Sequence, residues 1–439
     1  MKCDVVIVGT GVAGLYCALN LPKEKNIIIV TKSVAEESDS FLAQGGICVE
    51  RDDGDYDSIY EDTMRAGHYE NTPASVDIMI RFSREVIADL VAFGADFEKN
   101  ADGFVYTREG AHSRPRILFH KDVTGKEITS KLLVEAKRRE NITIIENYTM
   151  VDLLIADGEC RGIVGHDKEC AYSSILADYT VLATGGIGGL FKHSTNYRHL
   201  TGYSLALAVK YGIKLRDIDY IQIHPTTLYS KRAGRDFLIS ESVRGEGAIL
   251  LNAKGERFVD ELLPRDVVAN AIFDEMRKEG SEHVRLSLAP IHDSEIRSHF
   301  PNIYARCLEE GYDITREPIP VVPAQHYFMG GIDVDTNSKT SMDRLYATGE
   351  TACNGVHGKN RLASNSLLES LVFAKRAALD IIAGYTETDK SQIPEINTDA
   401  YKNYKEEYKK LVLNAIEKEE YLRCIDEAIK SKKEKQKLM

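Results

Sequence analysis

Between Leu345 and Ser370 the chain reads LYATGETACNGVHGKNRLASNSLLES. An apolar strand end leads to an acid, Glu350; a glycine-bearing loop then carries Arg361, and a helix opens across Ser364 to Ser366. Those types in that order suit a flavin site. A carboxylate accepts from ribityl hydroxyls, and N–H groups at a helix start face the electron-rich carbonyl end of the ring. Arg361 would then lie between cofactor and solvent, where an anionic substrate needs a fork of donors. Taken alone, the same stretch also fits a glycine-rich surface loop ahead of an amphipathic helix.

Three other groupings carry chemical types. Gly9, Gly11 and Gly14 form G-x-G-x-x-G after the run DVVIV and at the head of VAGLYCALN, the strand–turn–helix setting in which this spacing binds a dinucleotide. Gly9 permits the turn, Gly11 admits a pyrophosphate to the backbone, and Gly14 lets helix and strand approach. The acid that takes ribose hydroxyls at the end of the second strand is missing: NIIIV runs into Thr31-Lys32, and Glu36 and Glu37 come later. Residues 38–49, SDSFLAQGGICV, give a small, polar backbone that suits a flat ring, or else an ordinary loop and edge strand. Residues 108–120, REGAHSRPRILFH, gather Arg108, His112, Arg114, Arg116 and His120 around Glu109, which reads as an anion site or as a solvated charged loop.

These groups sit in an acidic chain, with a net charge of −12 over 439 residues. That argues against nucleic acid or an anionic membrane surface as partner, so an anionic substrate needs a local cationic pocket. The length fits two or three domains, and an apolar fraction of 43% supports sizeable cores. The eight cysteines show no C-x-x-C and no His/Cys metal spacing, so reduced thiols and no metal are expected. Glycines interrupt the first apolar run where a leader needs a continuous one, and no run has membrane-span length; a soluble cytoplasmic protein is expected.

The positioning elements follow from periodicity. Residues 58–94 read as two amphipathic helices, the second starting at Thr72-Pro73; 122–147 give a helix and a short strand; 151–180 give hairpin strands. TVLATGGIGG, residues 180–189, is a buried strand running into glycines, which brings Thr184 and Gly185 close to a cofactor. From Tyr220 the character changes, and an inserted domain is expected over 218–327, between a first part (1–217) and a second part (328–385) of the leading domain. Residues 386–439 become Lys/Glu-rich, with a helical period in Tyr401, Tyr404, Tyr408, Leu411 and Ala415.

The motifs G-T-G-V-A-G, A-Q-G-G, A-T-G-G, H-P-T, S-E-S-V-R-G-E-G, P-R-D-V-V-A, H-Y-F-M-G-G, A-T-G-E and H-G-K-N-R-L-A-S-N-S-L-L-E follow one another through residues 1–385. In these the chain resembles the succinate dehydrogenase/fumarate reductase flavoprotein family. The resemblance implies an α/β fold: a Rossmann-like FAD-binding domain interrupted by an α+β capping domain, here with a short C-terminal helical tail. It also implies an enzyme, in the branch that oxidises L-aspartate to iminoaspartate for NAD biosynthesis. Electrons would pass to oxygen or fumarate, and quinolinate synthase would be the functionally coupled partner. Family members with covalent FAD place a histidine four residues before the alanine of A-Q-G-G; Asp39 stands there, implying non-covalent FAD.

Carried over by position, FAD contacts are implied at Gly9, Thr10, Gly11, Val12, Ala13, Gly14, Lys32, Ser33, Ser40, Phe41, Ala43, Gln44, Gly45, Gly46, Thr184, Gly185, Glu350, Ser366 and Leu367. Substrate carboxylates fall to His224, Ser240, His326 and Arg361, and the substrate amino group to Glu109. Arg265 matches the acid/base, with Glu241 and Arg244 as its relay, although an arginine pKa above about 12 conflicts with proton acceptance. Thr201-Gly202-Tyr203-Ser204 replaces the family's T-G-D-G, which removes an acidic cofactor contact. Two other readings stay open: a soluble fumarate reductase or succinate dehydrogenase subunit, and a flavin-binding protein without catalysis.

Overall fold

The computed structural model describes residues 1–232, 234–390 and 396–437, those after 423 as backbone only. Its organising element is β1 (Lys2–Val8), whose β-branched run is buried on both faces, as a central parallel strand demands. Alternate side chains enter different cores. Val5 and Ile7 join one apolar cluster, and Val6 and Val8 another. A glycine turn leads to α1 (Val12–Asn20), followed by β2 (Ile27–Val30), α2 (Thr124–Arg138), β3 (Ile142–Ile145), β4 (Thr149–Ala156), β5 (Glu159–His166) and β6 (Tyr172–Leu182).

These strands form one sheet in the order β3-β2-β1-β6-β5-β4. β1, β2, β3 and β6 run parallel, while β5 and β4 fold back as antiparallel hairpin strands. Val8 pairs with Val30 on one side and Leu182 on the other, so three strand ends finish level beside the glycine turn. That shared edge is where an open parallel sheet binds its ligand.

After α3 (Tyr203–Tyr211) the chain enters a second sheet. β7 (Ile221–Leu228), β8 (Phe237–Leu238), β9 (Ile249–Leu251), α4 (Arg265–Glu279), β10 (Val284–Ser287) and β11 (Ile319–Phe328) follow in sequence. The sheet is antiparallel throughout, in the order β8-β7-β11-β10-β9, over its own core of Leu228, Ile239, Leu250, Ile272, Leu286 and Val321, among others. Ile221 pairs with Phe328, so the chain leaves for this capping domain and returns from it through adjacent strands.

The returning chain completes the first sheet. β12 (Leu345–Ala347) pairs with the last three residues of β6, parallel to it. α5 (Asn365–Ala383) then buries Leu367, Leu368, Leu371, Val372 and Phe373 in the core shared with α1, each worth about 1.5–3 kcal/mol when fully buried. The tail adds α6 (Tyr404–Lys437), whose Tyr404, Tyr408 and Val412 are buried against the side of the sheet that carries α3.

Two expectations change. The second amphipathic helix of 58–94 is two helices, Pro73–Arg81 and Ser83–Ala92, separated at Phe82. The cationic loop at 108–120 is not an anion site. Arg116 is fully buried with Asp55 and Asp62 as ion pairs at 3.0 and 2.7 Å, Arg108 and Arg114 are exposed, and His120 Nδ1 lies 2.7 Å from the Asp96 carbonyl oxygen.

Candidate active site

A long cavity follows the level strand ends from β2 past the glycine turn to the capping domain. Gly9 makes the turn at φ +124°, and a Cβ there would lie 2.0 Å from the Ala183 carbonyl oxygen, so only glycine fits. Gly11 caps α1 without a side-chain bond, and Val12 donates its N–H to Ser40 Oγ at 3.1 Å. Thr10, Gly11, Val12, Ala13, Lys32, Ser40, Ala43, Gln44, Gly45, Gly46, Thr184 and Gly185 all line the cavity. Gly14 does not; a Cβ there would meet the Gly9 carbonyl oxygen at 2.1 Å, so it serves helix–strand packing as the spacing predicts.

Ser33 and Phe41 are expected at the cofactor but lie off the cavity wall. The Ser33 hydroxyl donates to Glu37, and Phe41 packs against the apolar core. In their place the walls include Ser38, Tyr148, Thr149, Met150, Thr195, Asn196, Tyr203, Arg235 and Thr348, few of which carry a motif of their own. Thr10 Oγ1, Ser38 Oγ, Gln44 Oε1, Thr201 Oγ1 and Thr348 Oγ1 are buried on these walls without a protein partner. Buried hydroxyls and amides are rarely left so, and a string of them along one cleft matches a long, polar cofactor.

Toward the capping domain the cavity passes Glu350, which accepts the Phe328 N–H at 2.9 Å and crowds Gly186. Burial, reinforced by the charge of Asp39, pushes its carboxyl up to about 8. Ser364 turns the chain at φ +61°, aiming the first turn of α5, with Ser366 and Leu367, at the cavity.

Here both sheets contribute cations. Arg265, at the start of α4, spends Nε on Glu241 at 2.5 Å and Nη1 on Gln222 at 2.8 Å. Gln222 passes its amide on to Asn360 and to the Arg361 carbonyl, which ties β7 to the arginine loop. Arg361 donates to Ser366 Oγ at 3.1 Å, lies 4.5 Å over the Tyr327 ring, and keeps a buried Nε without a partner. Burial and then Arg265 bring its guanidinium down to about 10, so it stays charged at neutral pH.

His224 and His326 meet edge to face at 5.1 Å, and burial beside Arg265 holds both imidazoles well below their ordinary value. The N–H and the carbonyl oxygen of Thr226 both lie 3.1 Å from His224 Nδ1, and Nε2 is buried at the cavity without a protein partner. Burial raises the Glu241 carboxyl, but Arg265 and Arg244 outweigh it and keep the group below its usual value. Arg244 lies behind the wall, 3.5 Å from Glu241 and bonded to the Glu261 carbonyl. Ser240 caps the short helix Glu241–Gly245 and faces the cavity.

Against the same short helix lies Glu109. It is buried, with Ser364 and Ser242 donating to its two oxygens at 2.5 and 3.0 Å, and a Cβ on Gly45 would come within 2.8 Å of it. Burial pushes its carboxyl up, and the negative Glu241 adds to that. Three guanidiniums thus face Glu241 and a carboxylate reluctant to ionise. The deficit of negative charge suits an anion that also carries a positive group.

A parallel-edged nucleotide fold with an under-neutralised cation cluster at one end of its cofactor cleft defines an oxidoreductase of the flavoprotein class. Comparison agrees. The FAD-binding domain family matches residues 4–367. An L-aspartate oxidase from Clostridium perfringens is 55% identical over 379 residues, covering 86% of each chain. Another from Clostridium acetobutylicum is 52% identical over 87% of this chain and 88% of its own. Among solved structures, an E. coli quinol fumarate reductase superposes with a TM-score of 0.82 at 30% identity, over 89% of this chain and 72% of that one. The chain belongs to the FAD-binding domain family and, within it, to the L-aspartate oxidases. FAD is its cofactor.

Proposed function

We propose that the chain oxidises L-aspartate to iminoaspartate, the entry step of NAD biosynthesis, as a cytoplasmic enzyme that passes electrons to oxygen or fumarate. The observation that carries this reading is Glu109. A buried carboxylate on the wall of a cavity that also carries the Arg265 and Arg361 guanidiniums has a partner in the ammonium of an amino dicarboxylic acid; succinate offers none. The names of its relatives support the same substrate.

Bound FAD supplies the hydride acceptor. The chain's residues hold and orient the substrate: Arg361 with His326 takes one carboxylate, His224 Nε2–H with Ser240 takes the other, and Glu109 takes the ammonium. Such fixing lowers the barrier by several kcal/mol, about 7–11 at the upper limit. Neutral imidazoles suit the task, because they donate without adding charge to the arginine cluster. The amine proton leaves through Arg265, which gives its Nε proton to Glu241 as it receives one from the substrate. The guanidinium is therefore never neutral at rest, and Glu241, 2.5 Å away, is the base. Arg244 acts through Glu241 and touches no substrate.

The capping domain is assigned to residues 218–327, flanked by FAD-domain parts 1–217 and 328–385, with 386–439 as a tail. FAD is held non-covalently, since Asp39 stands at the family's attachment position and accepts the Tyr197 N–H. Handover of the unstable imine to quinolinate synthase fits this chemistry. A succinate-oxidising or fumarate-reducing subunit would share the carboxylate clamp but not Glu109.

The test is anaerobic mixing of the holoprotein with L-aspartate and, separately, with succinate, following flavin absorbance. Aspartate bleaches the flavin and succinate does not. Bleaching by succinate alone moves the chain to the dehydrogenase branch, and bleaching by neither leaves a flavin-binding protein without this substrate.

A further inference from the structure

The far end of the cofactor cleft is built from a part of the chain outside the nucleotide fold. In glycine-turned folds the end of the second strand faces the adenosine ribose. Here it presents Lys32, whose Nζ donates to the His199 carbonyl at 3.0 Å and lies 3.9 Å from the centroid of the Tyr203 ring. Both residues line the cavity. Burial, with the charge of nearby Lys405, brings Lys32 down to about 8.

Tyr203 is itself seated by the tail. Tyr404 and Tyr408 of α6 meet its ring edge to face at 5.5 and 5.7 Å. Each is pinned from outside: the Tyr404 hydroxyl lies 3.0 Å from His166 Nε2, and Tyr408 donates to the Val151 carbonyl at 2.6 Å. Val412 lies 3.5 Å from where a Cβ on Gly202 would stand, which closes the wall. A continuous set of contacts therefore runs from α6 through Tyr203 to an ammonium at the cavity. An ammonium held on an aromatic face out of water is attracted by the negative face of the ring.

We propose that the C-terminal helix is part of the FAD site: Tyr404 and Tyr408 hold Tyr203 as the platform for Lys32, and Lys32 donates to the adenosine half of FAD. Lys32 is the binding residue, and the three tyrosines position it. The proposal rests on FAD as cofactor and is independent of which substrate is oxidised.

The test titrates full-length apoprotein with FAD and with FMN, which has the flavin and one phosphate but no adenosine. Lys32→Met, Tyr203→Leu and the Tyr404→Leu/Tyr408→Leu double variant each weaken FAD about tenfold and leave FMN unchanged. Tyr203→Phe, which keeps the ring face, binds FAD like the parent. Adding Lys32→Met to the tail variant weakens FAD no further, because both act through one contact. Equal losses of FAD and FMN in the tail variant mark general destabilisation and overturn the proposal, as do FAD affinities within twofold of the parent or fully additive losses. A parent chain that binds FMN but gains nothing from FAD overturns the proposal together with the adenosine assignment.

Discussion

Two buried arginine clusters lie in this acidic chain, and their neutralisation differs. Around Arg116 every N–H is spent: on Asp55, Asp62, Ser58 and His112, within 3.3 Å. Both aspartates sit below their ordinary value because Arg116 and nearby donors outweigh burial. Around Arg361 and Arg265 an Nε is unpartnered, the His224 Nε2 is buried without a protein partner, and three guanidiniums share Glu241 with the reluctant Glu109. The first cluster is neutralised within the fold; the second keeps an excess of positive charge at the cavity. Burial does not tell the two apart, but the balance of partners does.

That contrast can be broken by mutation. Arg265→Leu has the largest effect: flavin reduction by aspartate falls about 10³-fold or more, about 4 kcal/mol in the barrier, while FAD stays bound. Stopped-flow absorbance measures it, and a rate within tenfold of the parent removes Arg265 from the mechanism. Arg116→Met costs about 3–5 kcal/mol of unfolding free energy in urea, because it strands two buried carboxylates. Aspartate affinity of the folded variant is unchanged.

Arg361→Met gives the opposite profile. Aspartate binding weakens about 100-fold, or about 2.7 kcal/mol, and the urea midpoint stays level or rises, since an under-paired charge has been removed. A large fall in that midpoint would erase the distinction between the clusters. The smallest effect is in pH. Asp55 and Asp62 have folded values below the ordinary 3.8, so their stabilisation is complete above 3.8 and is lost as pH falls through the depressed folded values. The stability gap between parent and Arg116→Met therefore narrows in acid urea melts.

The same contrast explains what the sequence makes legible. Local signals survive intact: the glycine spacing at 9–14, the Ser364 helix start, and Arg361 all act within a few residues of their own backbone. The loop at 108–120 misleads because the carboxylates that neutralise Arg116 lie more than fifty residues earlier, one at the N-cap and one inside a helix with no motif. Ser33 and Phe41 turn away for a related reason: within one stretch only some side chains face the cleft, and Ser33 finds Glu37 nearer. Tyr203 reads as the loss of an acid, whereas its use depends on a helix two hundred residues on.

The pairing of β12 with the end of β6 also dictates an order of manufacture. A ribosome that has reached Asp343 has made β1, β2 and β6 and the whole capping domain, yet the last turn of the β6 edge has no neighbour and the outer face of α1 is bare. Only when α5 emerges does that face gain its cover, and Arg361, Ser364 and Glu350 arrive in the same stretch. The stretch that closes the cofactor cradle is thus among the last parts of the nascent chain to exist, and an apolar helix face waits for it through most of translation.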